Sequence, residues 1–204
     1  MTLPICSVVI PTRNCLAYPS AALGSVRAQK IDGLEIIVVD DGSTDGTAEW
    51  SHLRVVRGPA CGPARPRNLA LTAANADLIA FLDADDIWSE GKLSQQIAFH
   101  QRRPDVGFSV TNYLHIDRDG GTHGTCFDYW HFTPRRVDGS GFAVLHNPEA
   151  TLLGANVVGT TTVVARRRRL QIANGFREDL RSAEDWGLWL RLAARALRRA
   201  PVSP

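Results

Sequence analysis

The chain is expected to fold as a single α/β domain with a mostly parallel sheet flanked by helices, and three observations point there. Short branched-apolar runs bounded by Gly, Pro or Asp alternate with longer Ala-rich stretches of helical composition through its first half, which is a βαβ rhythm. The runs SVVI, EIIVV and LIAFL do not alternate polar with apolar residues, as suits parallel strands covered on both faces. The 204 residues, 44% of them hydrophobic, suffice for one sizeable core and fall short of two ordinary domains.

The rhythm sets the elements. Strands are expected from Cys6 to Pro11, Leu34 to Val39, Leu53 to Val56 and Asp77 to Leu82, with helices across Ser20 to Gln29, Thr44 to Ser51 and Arg65 to Ala74. In STDGT, Ser43 or Thr44 can cap the amides of the following helix, and Asp45 suits its first turn. Capping does not account for Asp40 and Asp41, which lie before that turn. A helix from Glu90 to about Arg102 carries Leu93 and Ile97 at helical spacing, and a strand follows near Val106 to Leu114. From Asp117 to Gly141 the rhythm is lost, and RDGGTHG reads as a turn or hairpin in a region of the kind that forms lids and second binding walls. GTTTVVARR returns to a strand, and SAEDWGLWLRLAARALRRA reads as a helix with Leu188, Leu192 and Ala196 on one face.

Composition narrows the function. A balance of 23 Lys and Arg against 21 Asp and Glu gives a net charge of +2, so no field over the whole sequence draws the chain to nucleic acid or anionic lipid. The run Arg166 to Arg169 has no interleaved aromatics and reads as a solvated face. Cys6, Cys15, Cys61 and Cys126 are scattered without zinc spacing, as expected of buried thiols in a reducing cytoplasm. His115, His123 and His131 lack an i, i+4 pair and read as surface residues. The N-terminal stretch does not read as a secretory leader, and no apolar run approaches the ~20 residues of a membrane span. A cytoplasmic protein, with peripheral contact at the inner membrane face still open, is the expectation.

The chemistry is carried by carboxylates. ADLIAFLDADDIW ends an apolar run with Asp83, Asp85 and Asp86, and EIIVVDDGSTDGT does the same with Asp40 and Asp41. Carboxylates this close repel and raise one another's pKa unless something positive lies between them. Both clusters, and Pro11 to Asn14, fall at carboxyl ends of strands, where ligands of open α/β sheets bind. Mg²⁺ or Mn²⁺ typically takes one or two protein carboxylates and completes its shell with substrate phosphates, so a metal-bridged nucleoside diphosphate fits. No GxxxxGK[ST] occurs, and no GxGxxG follows the first strand, which argues against an NTPase or a dehydrogenase.

Five pieces, SVVIPTRN, EIIVVDDGSTDGT, GPARPRNLAL, LIAFLDADDIW and AEDWGLWLRLA, occur in the order and spacing of the family-2 glycosyltransferases. The chain resembles that family from about residue 5 to 195. The resemblance implies the GT-A fold, Rossmann-like, with residues 1–103 as the nucleotide-sugar half and 104–204 as the acceptor half. It implies an inverting transfer from a nucleotide-sugar donor, a UDP-sugar by preference, to a glycan or lipid-linked acceptor in polysaccharide or glycolipid synthesis, with no nucleic-acid partner.

The same resemblance assigns residues. Asp85 contacts the metal and Asp83 lies by the ribose or sugar, while Asp86 supports the metal site or caps the helix beginning near Ser89. Asp41 accepts from the nucleobase, with Asp40 beside it. Pro11 and Thr12 contact the base, and Arg13 stands where the family often has an aromatic. Arg67, or nearly as well Arg65, contacts phosphate or base. Asp185 is the catalytic base and Glu184 supports it, while Trp186 and Trp189 border the acceptor or pack. The chain stops at ARALRRAPVSP where relatives commonly continue, so an impaired or purely binding protein is the second expectation. A nucleotidyltransferase is the third, disfavoured by the acidic motif.

Overall fold

The computed structural model describes residues 3–14, 19–45, 54–58, 62–117, 119–134, 139 and 141–197. The strands are β1 (Cys6–Thr12), β2 (Leu34–Asp40), β3 (Arg54–Arg57), β4 (Leu78–Phe81), β5 (Phe108–Ser109), β6 (Leu114–Ile116), β7 (Thr122–Thr125) and β8 (Val164–Arg166). The helices are α1 (Pro19–Arg27), α2 (Ala64–Ala73), α3 (Lys92–Arg102), α4 (Cys126–Tyr129), α5 (Pro148–Gly154), α6 (Arg167–Ile172) and α7 (Glu184–Leu197). Six strands form one sheet in the order β3-β2-β1-β4-β8-β5, and β6 pairs with β7 in a separate hairpin.

The first four strands of that sheet run parallel, and β8 is antiparallel to both β4 and β5. Successive residues of β1 enter opposite cores. Val9 joins Ile37, Phe81, Leu188 and Trp189 on one face, and Val8 and Ile10 join Leu23, Trp88 and Leu93 on the other. Both faces are therefore covered, which is why the strand sequences show no polar alternation. Trp189 is fully buried, edge-on to Phe81 and Phe176 at 5.8 Å each and stacked on Phe108 at 6.1 Å. This ring cluster docks α7 on the sheet, with Leu188 and Leu192 buried on the same helix. Among the described residues no helix is long and apolar enough to cross a membrane.

Several expectations shift. The strand expected near Val106 to Leu114 contracts to Phe108–Ser109. Asn112 Oδ1 accepts from the amides of Tyr113 (3.0 Å) and Phe127 (3.1 Å), which takes the backbone out of the ladder and starts the hairpin that RDGGTHG implied. Helix α3 begins at Lys92, two residues later than expected, because Gly91 takes φ 76°. Gln29, in the turn just past α1, holds that junction, accepting from the Leu93 amide at 3.0 Å and donating to the Ser89 carbonyl at 2.9 Å.

The arginine run is not a uniformly solvated face. Arg166 donates to the carbonyls of His100 (2.7 Å) and Val106 (3.0 Å), and Arg167 to that of Ala74 (2.8 Å), while Arg168 stays exposed. Cys6 and Cys126 are buried, unpaired thiols. Cys15, Cys61, Ala196 as a side chain and most of the expected helix Thr44 to Ser51 lie outside the described residues.

Candidate active site

The loop after β4 begins where four strand residues of LIAF, all buried, run out of core. Asp83 emerges first, and its carbonyl accepts from the Asp86 amide at 3.1 Å, turning the loop so that Asp85 is exposed and Asp86 half-buried. Burial, and then the charges of Asp83 and Asp85, push the Asp86 carboxyl up to about 6. Asp86 lies well before α3, whose N-cap is Gly91 with no side-chain cap, so the helix-cap reading of Asp86 does not hold.

Arg67, in the first turns of α2, binds two carboxylates from distant parts of the chain. It donates to Asp83 Oδ1 at 2.6 Å and to Glu184 Oε1 at 2.9 Å. Arg67 and Glu184 are buried, 6% and 7% exposed. Burial opposes the guanidinium charge, but the Asp83 and Glu184 carboxylates outweigh it and raise the Arg67 pKa. Ala183, immediately before Glu184, takes φ 56°, a left-handed conformation uncommon for Ala, and it starts α7 with Glu184 and Asp185 in its first turn. Asp185 Oδ2 accepts from Thr160 Oγ1 at 2.8 Å and Oδ1 from the Trp186 amide at 2.7 Å.

These groups open on one cleft of about 720 Å³. Asp83, Asp85, Asp86, Trp88 and Lys92 line it, together with a wall of hairpin residues, Tyr113 to Ile116. The turn Thr160–Thr162 and Asp185 complete its lining. Lys92 Nζ lies 4.1 Å from the Trp88 ring centroid and donates to the Thr161 carbonyl at 3.2 Å. Burial pushes the Lys92 ammonium down to about 7, with Cys6 opposing. Gly159 lets the hairpin wall approach, since a Cβ there would sit 2.9 Å from the Tyr113 ring. Burial and the hydrogen bond with Cys126 raise the Tyr113 phenol. His115 stands exposed on this wall, edge-on to Tyr113 at 5.1 Å, and His123 pairs with Asp117 at 2.9 Å on the exposed hairpin.

The model for "Glycosyl transferase family 2" matches residues 7–153. The chain belongs to glycosyl transferase family 2. A family relative in Escherichia coli, the UDP-Glc:alpha-D-GlcNAc-diphosphoundecaprenol beta-1,3-glucosyltransferase WfaP, is 30% identical over 94% of this chain and 71% of its own length. A Rickettsia felis glycosyltransferase is 30% identical over 93% of this chain, which spans only 30% of that relative. Among solved structures, S. aureus TarS 1-349 superposes with a TM-score of 0.65 at 27% identity, covering 92% of this chain and 55% of TarS 1-349. The GT-A fold expected from the motifs is thereby shown.

Of the residues expected to serve a family-2 site, Arg67, Asp83, Asp85, Asp86 and Asp185 line this one cleft, and Glu184 joins them through Arg67. Pro11, Thr12, Asp40 and Asp41 lie at the carboxyl ends of the neighbouring strands β1 and β2, outside the cleft lining. Asp40 Oδ1 accepts from the Ser43 amide at 3.1 Å and Asp41 Oδ2 from the Gly62 amide at 3.1 Å. Thr12 Oγ1 is buried without a hydrogen-bond partner among the described residues, and Arg13 is exposed. Arg65 faces outward beside Glu178, which separates it from the buried Arg67. Trp189 packs in the core, while Trp186 is part-buried outside the cleft lining and donates to the Leu152 carbonyl at 3.1 Å. Sequence reasoning missed Tyr113, Lys92 and Thr160. Lys92 had a signal, its place four residues after Trp88; a threonine in GTTT had none.

Proposed function

We propose that this chain transfers a sugar, with inversion, from a nucleoside-diphosphate donor to an acceptor hydroxyl. The observation that carries the reading is the opening of Asp185 and of the Asp83–Asp86 loop on one cleft, tied together behind it by Arg67 and Glu184. The acceptor oxygen attacks the anomeric carbon from the side opposite the diphosphate, the anomeric carbon–oxygen bond to diphosphate breaks, and the acceptor proton passes to an Asp185 carboxylate oxygen. Arg67 keeps Asp83 in place for the ribose or sugar. Glu184, paired with Arg67, supports the start of α7.

The loop suits a divalent ion. Its donors are all hard carboxylate oxygens, Arg67 balances Asp83 and Glu184, and Asp85 is exposed at the cleft. Among the described residues no group of three His, Cys, Asp or Glu forms a cage, which fits an ion that takes one or two carboxylates and fills its shell with phosphate oxygens. Asp85 would hold Mg²⁺ or Mn²⁺, with Asp86 beside it. When bound, that ion supplies charge stabilisation for the departing diphosphate.

The strand-end residues Pro11, Thr12, Arg13, Asp40 and Asp41 make the base end of the donor site, and a carboxylate at Asp41 suits the ring N–H of uracil. A TarS structure in complex with UDP, 25% identical to this chain, and the UDP-Glc named for WfaP support a UDP-sugar. The diphosphoundecaprenol acceptor of WfaP supports a lipid-linked glycan as acceptor, and with it work at a membrane face. The test is a panel of UDP- and GDP-sugars with Mn²⁺ or Mg²⁺, read as nucleoside diphosphate release by the wild type, Asp85→Ala and Asp185→Asn. Release that depends on metal, Asp85 and Asp185 is expected. Nucleotide binding without release by the wild type would favour a binding protein, and pyrophosphate as product would favour a nucleotidyltransferase.

A further inference from the structure

The turn Thr160–Thr162 touches both halves of the chemistry. Toward the donor loop, the Thr161 carbonyl accepts from Trp88 Nε1 at 2.8 Å, and Thr161 Oγ1 accepts from the Asp83 amide at 3.3 Å. Behind it, Gln96 Nε2 donates to the Thr162 carbonyl at 3.0 Å, and Thr162 Oγ1 donates to the Gly159 carbonyl at 2.7 Å. The shape of the turn is therefore fixed without Thr160's hydroxyl. That hydroxyl has one proton, and it goes to Asp185 Oδ2 at 2.8 Å from a residue only 5% exposed. With the Trp186 amide on Oδ1, both carboxylate oxygens are held and each keeps a lone pair for another donor.

We propose that Thr160 is a positioning residue for Asp185: its hydroxyl fixes the carboxylate toward the acceptor side of the cleft, from a turn anchored to the loop that binds the donor diphosphate. The inference rests on Asp185 being the base. A base works only from within hydrogen-bond reach of the proton it takes, and an ångström of misplacement costs roughly 10²-fold.

Thr160→Val keeps the branched shape and removes the proton, Thr160→Ala removes both, and Thr160→Ser keeps the proton. The full chain and these variants are compared in steady-state kinetics with whichever UDP-sugar the wild type turns over fastest. UDP affinity is read from tryptophan fluorescence, folding from the melting temperature, and the Asp185 rotamer from crystals of each variant. Thr160→Val, or Thr160→Ala if the valine variant fails to fold, is expected to lower kcat by about 10- to 100-fold. Donor KM and UDP affinity should stay within about twofold, Asp185 should rotate, and Thr160→Ser should recover most of the rate. An unmoved Asp185 rotamer in Thr160→Val, a wild-type kcat, a loss confined to KM, or a serine variant no better than valine would each overturn the proposal. Asp185→Asn, run alongside, separates the two ideas. If it retains transfer, the base assignment falls; if it is inactive while Thr160→Val is fully active, only the role of Thr160 falls.

Discussion

Arg67 holds Glu184 and Asp83 with one guanidinium, and the two contacts differ in weight because Glu184 is buried while Asp83 is 29% exposed at its side chain. Removing the cation strands a buried carboxylate, whereas Asp83 can turn to water. Arg67→Met is therefore expected to cost about 3 to 5 kcal/mol in urea denaturation, with Glu184 as the main cause. Arg67→Lys should recover little, since a point charge cannot span two carboxylates as a planar fork does; full recovery by Lys would show that charge alone matters. His100 gives a second expectation. Burial, and then the Arg166 charge, push its imidazole down to about 4, while Nε2 sits 3.2 Å from the Val164 carbonyl. The folded pKa lies below the unfolded value of about 6.5, so the unfolded chain takes the proton first as pH falls. Stability from this group is complete above pH ~6.5 and declines toward pH ~4, by about 2 kcal/mol at pH 5. His100→Gln should flatten the difference between urea midpoints at pH 7 and pH 5; an unchanged difference would remove His100 as its source.

Asn174 and Gly175, just past the end of α6, are both left-handed, at φ 59° and 60°, and the glycine is there for space as much as for angle. A Cβ on Gly175 would sit 2.5 Å from Asn68 Oδ1, the atom that accepts from the Phe176 amide at 2.9 Å, while Asn68 Nδ2 donates to the Phe176 carbonyl at 2.8 Å. Gly175→Ala therefore unclips α6 from α2 and strains the backbone, for an expected loss of about 2 to 3 kcal/mol in thermal or urea unfolding. Wild-type stability would mean that Asn68 can swing aside without loss. This clip illustrates what the sequence could and could not tell. Strands β1, β2 and β4 were legible because the apolar residues of SVVI, EIIVV and LIAF go into a core on one face or the other, and that leaves a pattern in composition. Strand β5 was misjudged because one polar side chain, Asn112, decides where the chain leaves the sheet, and single hydrogen bonds leave no periodicity. The arginines 166 and 167 were misread for a related reason: charge suggests water, but backbone carbonyls at the ends of α3 and α2 also take donors.

The site was legible where charge clusters at strand ends, since parallel topology brings the ends of β1, β2 and β4 side by side whatever their separation in the chain. It was illegible where neutral residues from far apart meet, as Thr160 and Tyr113 do, because no local rule brings them to the cleft. A ligand that bridges the strand-end loops binds only the folded chain, so it should stabilise the whole molecule by mass action. With UDP and Mn²⁺ each near 100 times the dissociation constant of the complex, the gain is about 2.7 kcal/mol, or roughly 5 to 10 °C in melting temperature for a chain of this size. UDP alone, with the metal chelated, should give much less, because its phosphates would then face Asp85 and Asp86 without a cation between them. Asp85→Asn should keep the melting temperature of the free protein and lose most of the metal-dependent part of the shift. If the variant with UDP and Mn²⁺ rises as far as the wild type, or if the wild type rises equally with chelator, the ion is not held by Asp85.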